Sequence, residues 1–473
     1  IYIYIYIYIS IMSDLKNAMY STVRIIVHTE SYDIFNPDNI EEHGKSIGSG
    51  FFINNKSHIL TCYHVIKDSV KLYVNIPITG KKQYETDIVS VYPDMDIAVI
   101  KIRNYKNMNY LELSDSDTIQ MGDTTIALGY PLGESTIKTT KGIISGTKNH
   151  LLQTDTSINS GNSGGPLLTS EYKVIGINSS KIASSSVEGV GYCIPINIFI
   201  NLKNKFLSHL DEEKINIIHE PNLYCKIQPL EDDTITLFCS KFIAKNPDTK
   251  INGVIISSIY KNSPFTQAEF PLEKYDILME FDNLVIDTYG DIKVSYSIGK
   301  INIKDIIKRY PYDKKIPIKY LSLSKQEMID TFIIFKNKTY FGINELYYPD
   351  KVQYVKFKDI IICQLTLNHL IYIINNYVSM NVNNKAYMYN FILSENREKP
   401  RIIIGKVLPS SNFVNNNNIT NSIGMVINRI NGIPVYNIDD FNNVCNTTKL
   451  IINNKKYIHI EMLNREHITL CLD

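Results

Sequence analysis

The sequence has almost no excess of charge of either sign. It carries 49 basic and 48 acidic residues, so its formal net charge is +1 over 473 residues. Such a balance gives no electrostatic footprint for nucleic acid or for an anionic membrane. No segment has the pattern of a nucleotide-binding loop, and no cysteine and histidine cluster has zinc spacing. We therefore expect no nucleic acid or membrane partner, no cofactor and no metal.

Cysteine is also scarce in this chain. The seven cysteines are an odd number, and Cys62 has no cysteine opposite it in the segment 48–53, which is predicted to pair with its strand. Free thiols are the economical interpretation. They predict an intracellular, reducing compartment, either cytoplasm or nucleus.

The first eleven residues lack the features of a targeting segment. Isoleucine and tyrosine alternate over residues 1–9, and Met12 follows shortly after. About a dozen largely apolar residues are too few for a helix to cross a bilayer of roughly 30 Å, and there is no basic n-region or cleavage site. Because an (AT)n tract encodes alternating Ile and Tyr, we interpret residues 1–11 as a translated low-complexity repeat. The expected start is Met12, without signal peptide or transmembrane segment.

Glycines surround one serine in the segment 159–166, which reads Asn-Ser-Gly-Asn-Ser-Gly-Gly-Pro. They free the backbone on both sides of Ser163, so that the N–H groups of Gly161, Asn162 and Ser163 can converge on one point. That point is predicted to be an oxyanion hole. Because a serine alone is a weak nucleophile, the pattern also requires a general base and a group that orients it.

Both groups are present upstream of the serine. His64 directly follows an apolar strand, and Asp96 lies in a loop that leads into the largely apolar run 97–102. We predict that His64 is the base and that Asp96 orients and stabilises it. Asp94, two residues earlier in the same loop, is the alternative acid. The other candidate histidines lack such context and are expected to be surface or structural residues: His28, His43, His58 and His150.

The segment 154–167 resembles the nucleophile segment of the Deg/HtrA-type serine proteases nearly residue for residue. Four further motifs follow the order of that family: residues 128–133, 141–145, 174–178 and 191–195. The resemblance covers roughly residues 17–200. It implies a chymotrypsin-like double antiparallel β-barrel with the catalytic site in the cleft between the barrels.

The substrate pocket is predicted from positions in the same fold. Ser157, six residues before the nucleophile, would lie at the base of the primary pocket, so no carboxylate is available there for Lys or Arg. Tyr192 and Cys193 would form the pocket wall and narrow the pocket, so that it accepts small or medium aliphatic side chains, as the family resemblance also implies. The alternative is that these residues simply pack the second barrel.

An internal repeat marks the rest of the chain. The pattern of residues 275–286 recurs in residues 424–435 at an offset of 149, with an apolar β-rich run upstream of each copy. The copies resemble two PDZ domains, which bind extended peptides at a sheet edge. Asp276 marks the turn in the first copy, and Met425 replaces it in the second. The second copy, with its loop 415–418, is therefore interpreted as degenerate and as an assembly module.

These observations predict a mainly β chain with a chymotrypsin-like double barrel followed by two PDZ-like α+β domains. The expected domains are the repeat 1–11, a protease domain 12–210, PDZ domain 1 at 211–325 and a degenerate PDZ-like domain 2 at 326–473. The resemblance implies an ATP-independent serine endopeptidase that cleaves unfolded or damaged proteins. It is nearest to plant-type Deg proteases with an atypical second PDZ, and it implies a homo-oligomer built of trimers. The alternative is a peptide-binding scaffold or chaperone with gated or minor protease activity.

Overall fold

Short β-branched runs separated by turns produce a mainly β chain, as predicted. The computed structural model describes residues 13–106, 108–179, 190–208, 215–337, 342–347, 350–375, 387–393, 396–408 and 422–472. The chain divides into two compact units. The first consists of Ile1–Thr29 and Lys45–Lys338, and the second of Glu30–Gly44 and Thr339–Asp473. The predicted domain boundaries stay a prediction, and the repeat 1–11 and the loop 415–418 lie outside the described residues.

Six antiparallel strands form the first barrel. They follow the order β5-β4-β1-β2-β3-β6, and a direct pairing of β5 with β6 closes the sheet. The helix α1 (13–21) precedes them, and the short helix α2 (Tyr63–Ile66) follows β3 directly. The strands are β1 (Thr22–Asp33), β2 (Asn36–Phe52), β3 (His58–Cys62), β4 (Ser69–Asn75), β5 (Gln83–Tyr92) and β6 (Ile97–Ile102).

A second closed barrel follows in the order β10-β11-β12-β9-β8-β7. Its interior is filled by apolar side chains that include Ile144, Leu167 and Cys193. Its strands are β7 (Thr124–Gly129), β8 (Lys138–Lys148), β9 (Leu151–Thr154), β10 (Pro166–Leu168), β11 (Val174–Asn178) and β12 (Gly191–Pro195). The two barrels confirm the predicted double-barrel fold.

Helix α3 (Ile196–Leu207) follows the second barrel. Next, β13 (Asn216–Ile217) adds to β5 in parallel. A third sheet then has the order β14-β15-β16-β20-β21, with β17 paired to β16. Its strands are β14 (Cys225–Pro229), β15 (Val254–Ile259), β16 (Ile277–Phe281), β17 (Leu284–Val285), β20 (Lys315–Ser322) and β21 (Glu327–Ile334).

Helix α4 (Asp232–Lys245) packs on the third sheet through Cys239 and Phe242. The small hairpin β18 (Asp291–Lys293) and β19 (Lys300–Asn302) precedes the short helix α5 (Ile303–Ile306). Arg309 is only 6% exposed; its guanidinium lies 3.9 Å from the centre of the Tyr296 ring and pairs with Asp117. A buried cation with a carboxylate partner and an aromatic face therefore joins the segment between α5 and β20 to the loop that precedes β7.

The fourth sheet forms the second unit, in the order β22-β23-β24-β25-β28-β27, with β26 paired to β25 and β29 paired to β28. Helices α6 (Leu367–Asn375) and α7 (Ile438–Thr447) accompany it. The strands are β22 (Tyr354–Phe357), β23 (Ile360–Gln364), β24 (Ile402–Val407), β25 (Val426–Ile430), β26 (Ile433–Pro434), β27 (Leu450–Ile452), β28 (Lys455–Met462) and β29 (His467–Cys471).

The repeat predicted at an offset of 149 corresponds to equivalent hairpins. β16 and β17 in the third sheet match β25 and β26 in the fourth at this offset. A backbone contact is shared as well, because Ile256 N donates to Asp276 O at 2.9 Å and Ile404 N donates to Met425 O at 3.1 Å. The repeat is thus a repeated strand plan, and the assignment of each copy to the PDZ domains stays a prediction.

Residues 30–44 belong to the second unit although they precede most of the first. Ile34 and Phe35 pack on a core cluster of the fourth sheet. His369 Nε2 donates to Ile34 O at 2.9 Å, and Lys406 pairs with Asp33 at 3.1 Å. We call residues 30–44 the inserted segment. It supplies apolar, hydrogen-bonding and charged contacts to the second unit.

Candidate active site

His64 and Asp96 are joined by two hydrogen bonds. The backbone N–H of His64 donates to Asp96 Oδ1 at 2.9 Å, and His64 Nδ1 lies 2.7 Å from Asp96 Oδ2. An ionised carboxylate can only accept, so Nδ1 carries the proton and Nε2 has the free lone pair. The His64 side chain is 24% exposed, whereas that of Asp96 is 9% exposed. The pair thus presents a basic nitrogen while the carboxylate stays shielded from water.

Local backbone geometry sets the carboxylate in place. Asp96 ends a short turn over Pro93–Met95 with a φ of 57°, in the left-handed region that aspartate tolerates better than most residues. Its carbonyl accepts from Tyr63 N at 3.0 Å, at the start of α2. The turn therefore links the start of β6 to the helix that carries His64.

Asp94, the alternative acid, contacts a different part of the chain. Its Oδ2 accepts the backbone N–H of Glu220 at 3.0 Å, in the segment that follows β13. The geometry accordingly favours Asp96 over Asp94 as the partner of His64.

The loop that carries Ser163 is held by strand β2. Ser49 N donates to Ser163 O at 2.8 Å, and Ser49 Oγ donates to Gly161 O at 2.7 Å. Thr61 Oγ1, in the strand that leads to His64, donates to Ser49 O at 2.7 Å. Ser49 therefore ties the serine loop to the strand that positions the histidine. Ser163 itself is buried, with 3% of its surface exposed.

Glycine is required at two positions of this loop. Gly161 has a φ of 95°, and a Cβ there would lie 2.3 Å from Tyr130 O. Gly164 has a φ of 84°, and a Cβ there would lie 2.2 Å from Ser49 O. Both the left-handed backbone and the close approach exclude a side chain, as the sequence pattern predicted.

The three predicted oxyanion-hole amides differ in their surroundings. Asn162 N donates to Asn159 O at 3.0 Å, so this amide is engaged within the loop. Gly161 and Ser163 flank it, and their amides are the pair that we retain as candidate donors.

Two further residues surround the dyad: Ser179 was missed from the sequence, and Cys62 was considered there only as a candidate for a disulfide. Ser179 Oγ donates to Asp96 Oδ2 at 3.0 Å, a third hydrogen bond to that carboxylate. Cys62 Sγ donates to Asn178 O at 3.3 Å, and burial, assisted by the Asp96 charge, raises the pKa of the Cys62 thiol. A serine that follows the apolar strand β11 was the available signal for Ser179. Its pairing with Asp96 spans 83 residues and only the fold reveals it.

Ligand-type atoms of Cys62, His64 and Asp96 lie within 4.8 Å of one another. All three residues already make the hydrogen bonds described above. We therefore interpret this cluster as the buried surroundings of the dyad and derive no metal chemistry from it.

The predicted pocket residues have three different environments. Ser157 is exposed, and its carbonyl accepts from Thr140 Oγ1 at 3.1 Å. Tyr192 is half-buried, with the Lys148 ammonium 5.4 Å from its ring centre. Cys193 is fully buried in the core of the second barrel. This burial favours the packing alternative for Cys193 and leaves Ser157 and Tyr192 as pocket candidates.

The four histidines that were expected to be surface or structural residues contact neighbouring side chains outside the dyad. His58 is buried beside Asn54, and desolvation lowers its pKa to about 4. Burial likewise lowers the pKa of His150 to about 4 although Asp305 lies 3.8 Å away. His43 is exposed and lies 3.5 Å from Glu30, and His28 packs edge-on against Tyr73.

Comparisons with known proteins find similar sequences and structures. The trypsin-like peptidase domain matches residues 48–177. Over 311 residues the chain is 30% identical to the serine protease Do-like HtrA of Bacillus subtilis, covering 59% of this chain and 66% of that one. It is 29% identical over 272 residues to a periplasmic DegP-like serine endoprotease of Chlamydia muridarum, covering 55% and 50%.

The chain belongs to the Deg/HtrA family of serine proteases. A solved HtrA-type protease with a decapeptide shares the fold, with a TM-score of 0.51, 21% identity and coverage of 70% of this chain and 98% of that one. This chain spans about half to two thirds of the length of the two curated relatives named above. Protease Do-like 14 of Arabidopsis thaliana is also similar, 31% identical over 53% of this chain and 60% of its own length. The special nearness to plant-type members stays a prediction, because bacterial relatives match equally well.

The predicted cytoplasmic or nuclear location is wrong. Family members from Chlamydia and Rickettsia are named as periplasmic endoproteases, which points outside the cytoplasm. All seven cysteines are free, as expected, but a Deg/HtrA chain with two filled barrels needs no disulfide to fold. Free thiols were therefore a poor guide to the compartment. Among the described residues, no helix is both long and apolar enough to cross a membrane.

Proposed function

We propose that this Deg/HtrA chain is a serine endopeptidase that cleaves unfolded or damaged polypeptides without ATP. The observation that carries the proposal is the His64–Asp96 dyad beside a glycine-constrained serine loop. Asp96 accepts hydrogen bonds from the imidazole, from the His64 backbone and from Ser179. These bonds fix the tautomer in which Nε2 acts as the base.

The proposed reaction proceeds through an acyl-enzyme. Ser163 Oγ attacks the scissile carbonyl carbon while His64 Nε2 takes the hydroxyl proton. The amides of Gly161 and Ser163 stabilise the resulting oxyanion, and Asp96 stabilises the imidazolium. The imidazolium then protonates the leaving amine as the C–N bond breaks. Water hydrolyses the ester by the same steps, which returns the proton to Ser163.

Peptide recruitment is assigned to the third sheet. Among the described residues β14 pairs with β15 alone, so its other edge can accept an added strand. The fourth sheet is proposed as an assembly module within a homo-oligomer of trimers, as the family resemblance implies. The open edge of β14 also suits the second candidate function, a peptide-binding scaffold or chaperone in which proteolysis is minor.

Casein degradation and fluorophosphonate labelling by the full chain test the enzyme. Ser163→Ala should abolish both, because the acylated atom is removed. Asp96→Asn should lower kcat by about 10⁴-fold, as in other triads, because the amide no longer holds the productive tautomer. The matched control, Asp94→Asn, should leave kcat close to that of the unchanged chain.

Three results would count against this proposal. Casein loss at an unchanged rate in Ser163→Ala would exclude Ser163 as the nucleophile. Greater damage from Asp94→Asn than from Asp96→Asn would show that the acid is misassigned. A chain that prevents casein aggregation but never degrades it would favour the chaperone.

A further inference from the structure

The last hairpin of the chain, β28 and β29, has one apolar and one polar face. Ile458 and Ile460 point into the core of the second unit and are fully buried. The alternate residues His459, His467 and Thr469 lie on the opposite face. In the strand register His459 is directly opposite Thr469, and His467 lies one pair further along the same face.

The two imidazoles face each other through single nitrogens. His459 Nε2 lies 3.1 Å from His467 Nδ1, with ring centres 5.1 Å apart and planes inclined by 17°. His459 Nδ1 lies 3.0 Å from Thr469 Oγ1, and the His459 backbone N–H donates to Asn431 Oδ1 at 2.8 Å. When Thr469 accepts the Nδ1 proton, His459 Nε2 is unprotonated and lies next to His467 Nδ1.

We propose that His459 and His467 form a binding site for a borderline divalent transition-metal ion, with Zn²⁺ as the representative. Two imidazole nitrogens at about 2.0–2.1 Å from zinc are about 2.9–3.4 Å apart for bond angles between right-angled and tetrahedral. The observed 3.1 Å lies within that span. The contact of His459 with Thr469 is the kind of outer hydrogen bond that orients a ligating histidine.

The site differs from the zinc motifs that the sequence lacks. The two histidines are eight positions apart in sequence and meet only because β28 and β29 pair. Imidazole favours Zn²⁺, Ni²⁺ and Cu²⁺ over Mg²⁺, which prefers oxygen ligands. Water would complete the coordination. A bound ion would join β29 to β28 and so stabilise the second unit.

Calorimetric titration of the full chain with ZnCl₂, together with thermal unfolding with and without the ion, tests the proposal. His459→Ala and His467→Ala should each weaken zinc binding at least about tenfold, since the loss of even an outer hydrogen bond costs that much. Both variants should also lose the rise in unfolding temperature that zinc produces. MgCl₂ should cause neither effect.

Two control variants separate this site from other histidines. His43→Ala removes an exposed histidine that lies 3.5 Å from the Glu30 carboxylate, and it should keep full zinc binding. His64→Ala removes the proposed catalytic base and should keep it as well. Zinc binding and stabilisation that persist in both His459→Ala and His467→Ala would overturn the proposal. So would the absence of any zinc binding by the unchanged chain.

Discussion

The third and fourth sheets share a repeated hairpin but differ at the equivalent edge and face. Among the residues that the structure describes, β14 is the edge strand of the third sheet, whereas its counterpart β23 in the fourth is paired on both sides, with β24 and with β22. Phe357 of β22 packs edge-on against Phe441 of α7, with ring centres 5.4 Å apart. The chain's own β22 thus occupies the edge that a peptide would use, so a repeated sequence pattern need not preserve a repeated binding role.

The residue at the repeated turn also differs between the two sheets. Asp276 accepts the backbone N–H groups of Glu273 at 2.8 Å and Leu323 at 3.0 Å, so its carboxylate ties two chain segments together. Met425, at the equivalent position, is buried among apolar side chains. The fourth sheet gains other contacts instead, because the inserted segment packs on it.

The largest expected effect is a pH dependence of stability that distinguishes the fourth sheet from the third. His369 of α6 is fully buried, and Thr366 N and Oγ1 lie 3.2 and 2.8 Å from its Nδ1. Burial lowers its pKa to about 4. Between pH 6.5 and 4 the unfolded state binds a proton that the folded state does not, so stability falls with falling pH. The loss should reach about 3 kcal/mol below pH 4.

Hydrogen exchange in β23 and α6, followed against pH, measures this loss in the second unit alone. His369→Gln should flatten the profile there. β14 and β23 align at an offset of 135, so the position equivalent to His369 is Thr234 of α4, and the third sheet should lack this particular dependence. His58 and His150 also titrate low, which makes a local measurement necessary. An unchanged profile in His369→Gln would contradict the assignment.

A peptide ligand tests the difference between the two edges directly. In Ser163→Ala, an extended peptide at about 100 times its Kd should slow amide exchange in β14 about hundredfold, because exchange then requires release of the peptide. Amides of β23 should be unaffected because β22 already pairs with that strand. Equal protection of both strands, or protection confined to β23, would contradict the proposed difference between the two edges.

The smallest effect concerns two equivalent positions in β15 and β24. A Cβ on Gly405 would lie 2.4 Å from Phe35 O and 2.8 Å from Cys363 Sγ, so Gly405→Ala should cost about 2 kcal/mol in the second unit. β15 and β24 align at an offset of 148, so the counterpart of Gly405 is Ser257. Ser257 already carries a side chain, and Ser257→Ala should cost about 0.5 kcal/mol or less. Urea unfolding of both variants provides the measurement. Similar costs would show that the inserted segment does not set the requirement for glycine.

The parts of the molecule that could be predicted from the sequence are those encoded locally. The glycines around Ser163 and the strand before His64 form continuous motifs, so the double barrel and the relation of His64 to Asp96 could be inferred. Ser179 could not, since its contact with Asp96 depends on how β11 meets the first barrel. The pairing of β22 with β23 was equally hidden, because an edge strand and an added peptide have the same apolar pattern.

The inserted segment also constrains the order in which the molecule can be completed during synthesis. Ile34 and its partner His369 are 335 residues apart in sequence. At roughly 5–20 residues per second, the ribosome needs roughly 15–70 s to deliver the second after the first. Throughout that interval the apolar turn between β1 and β2, which contains Ile34, has been synthesised. The residues of the second unit on which it packs have not. Nascent chains that stall in this window should be the ones most dependent on a holdase.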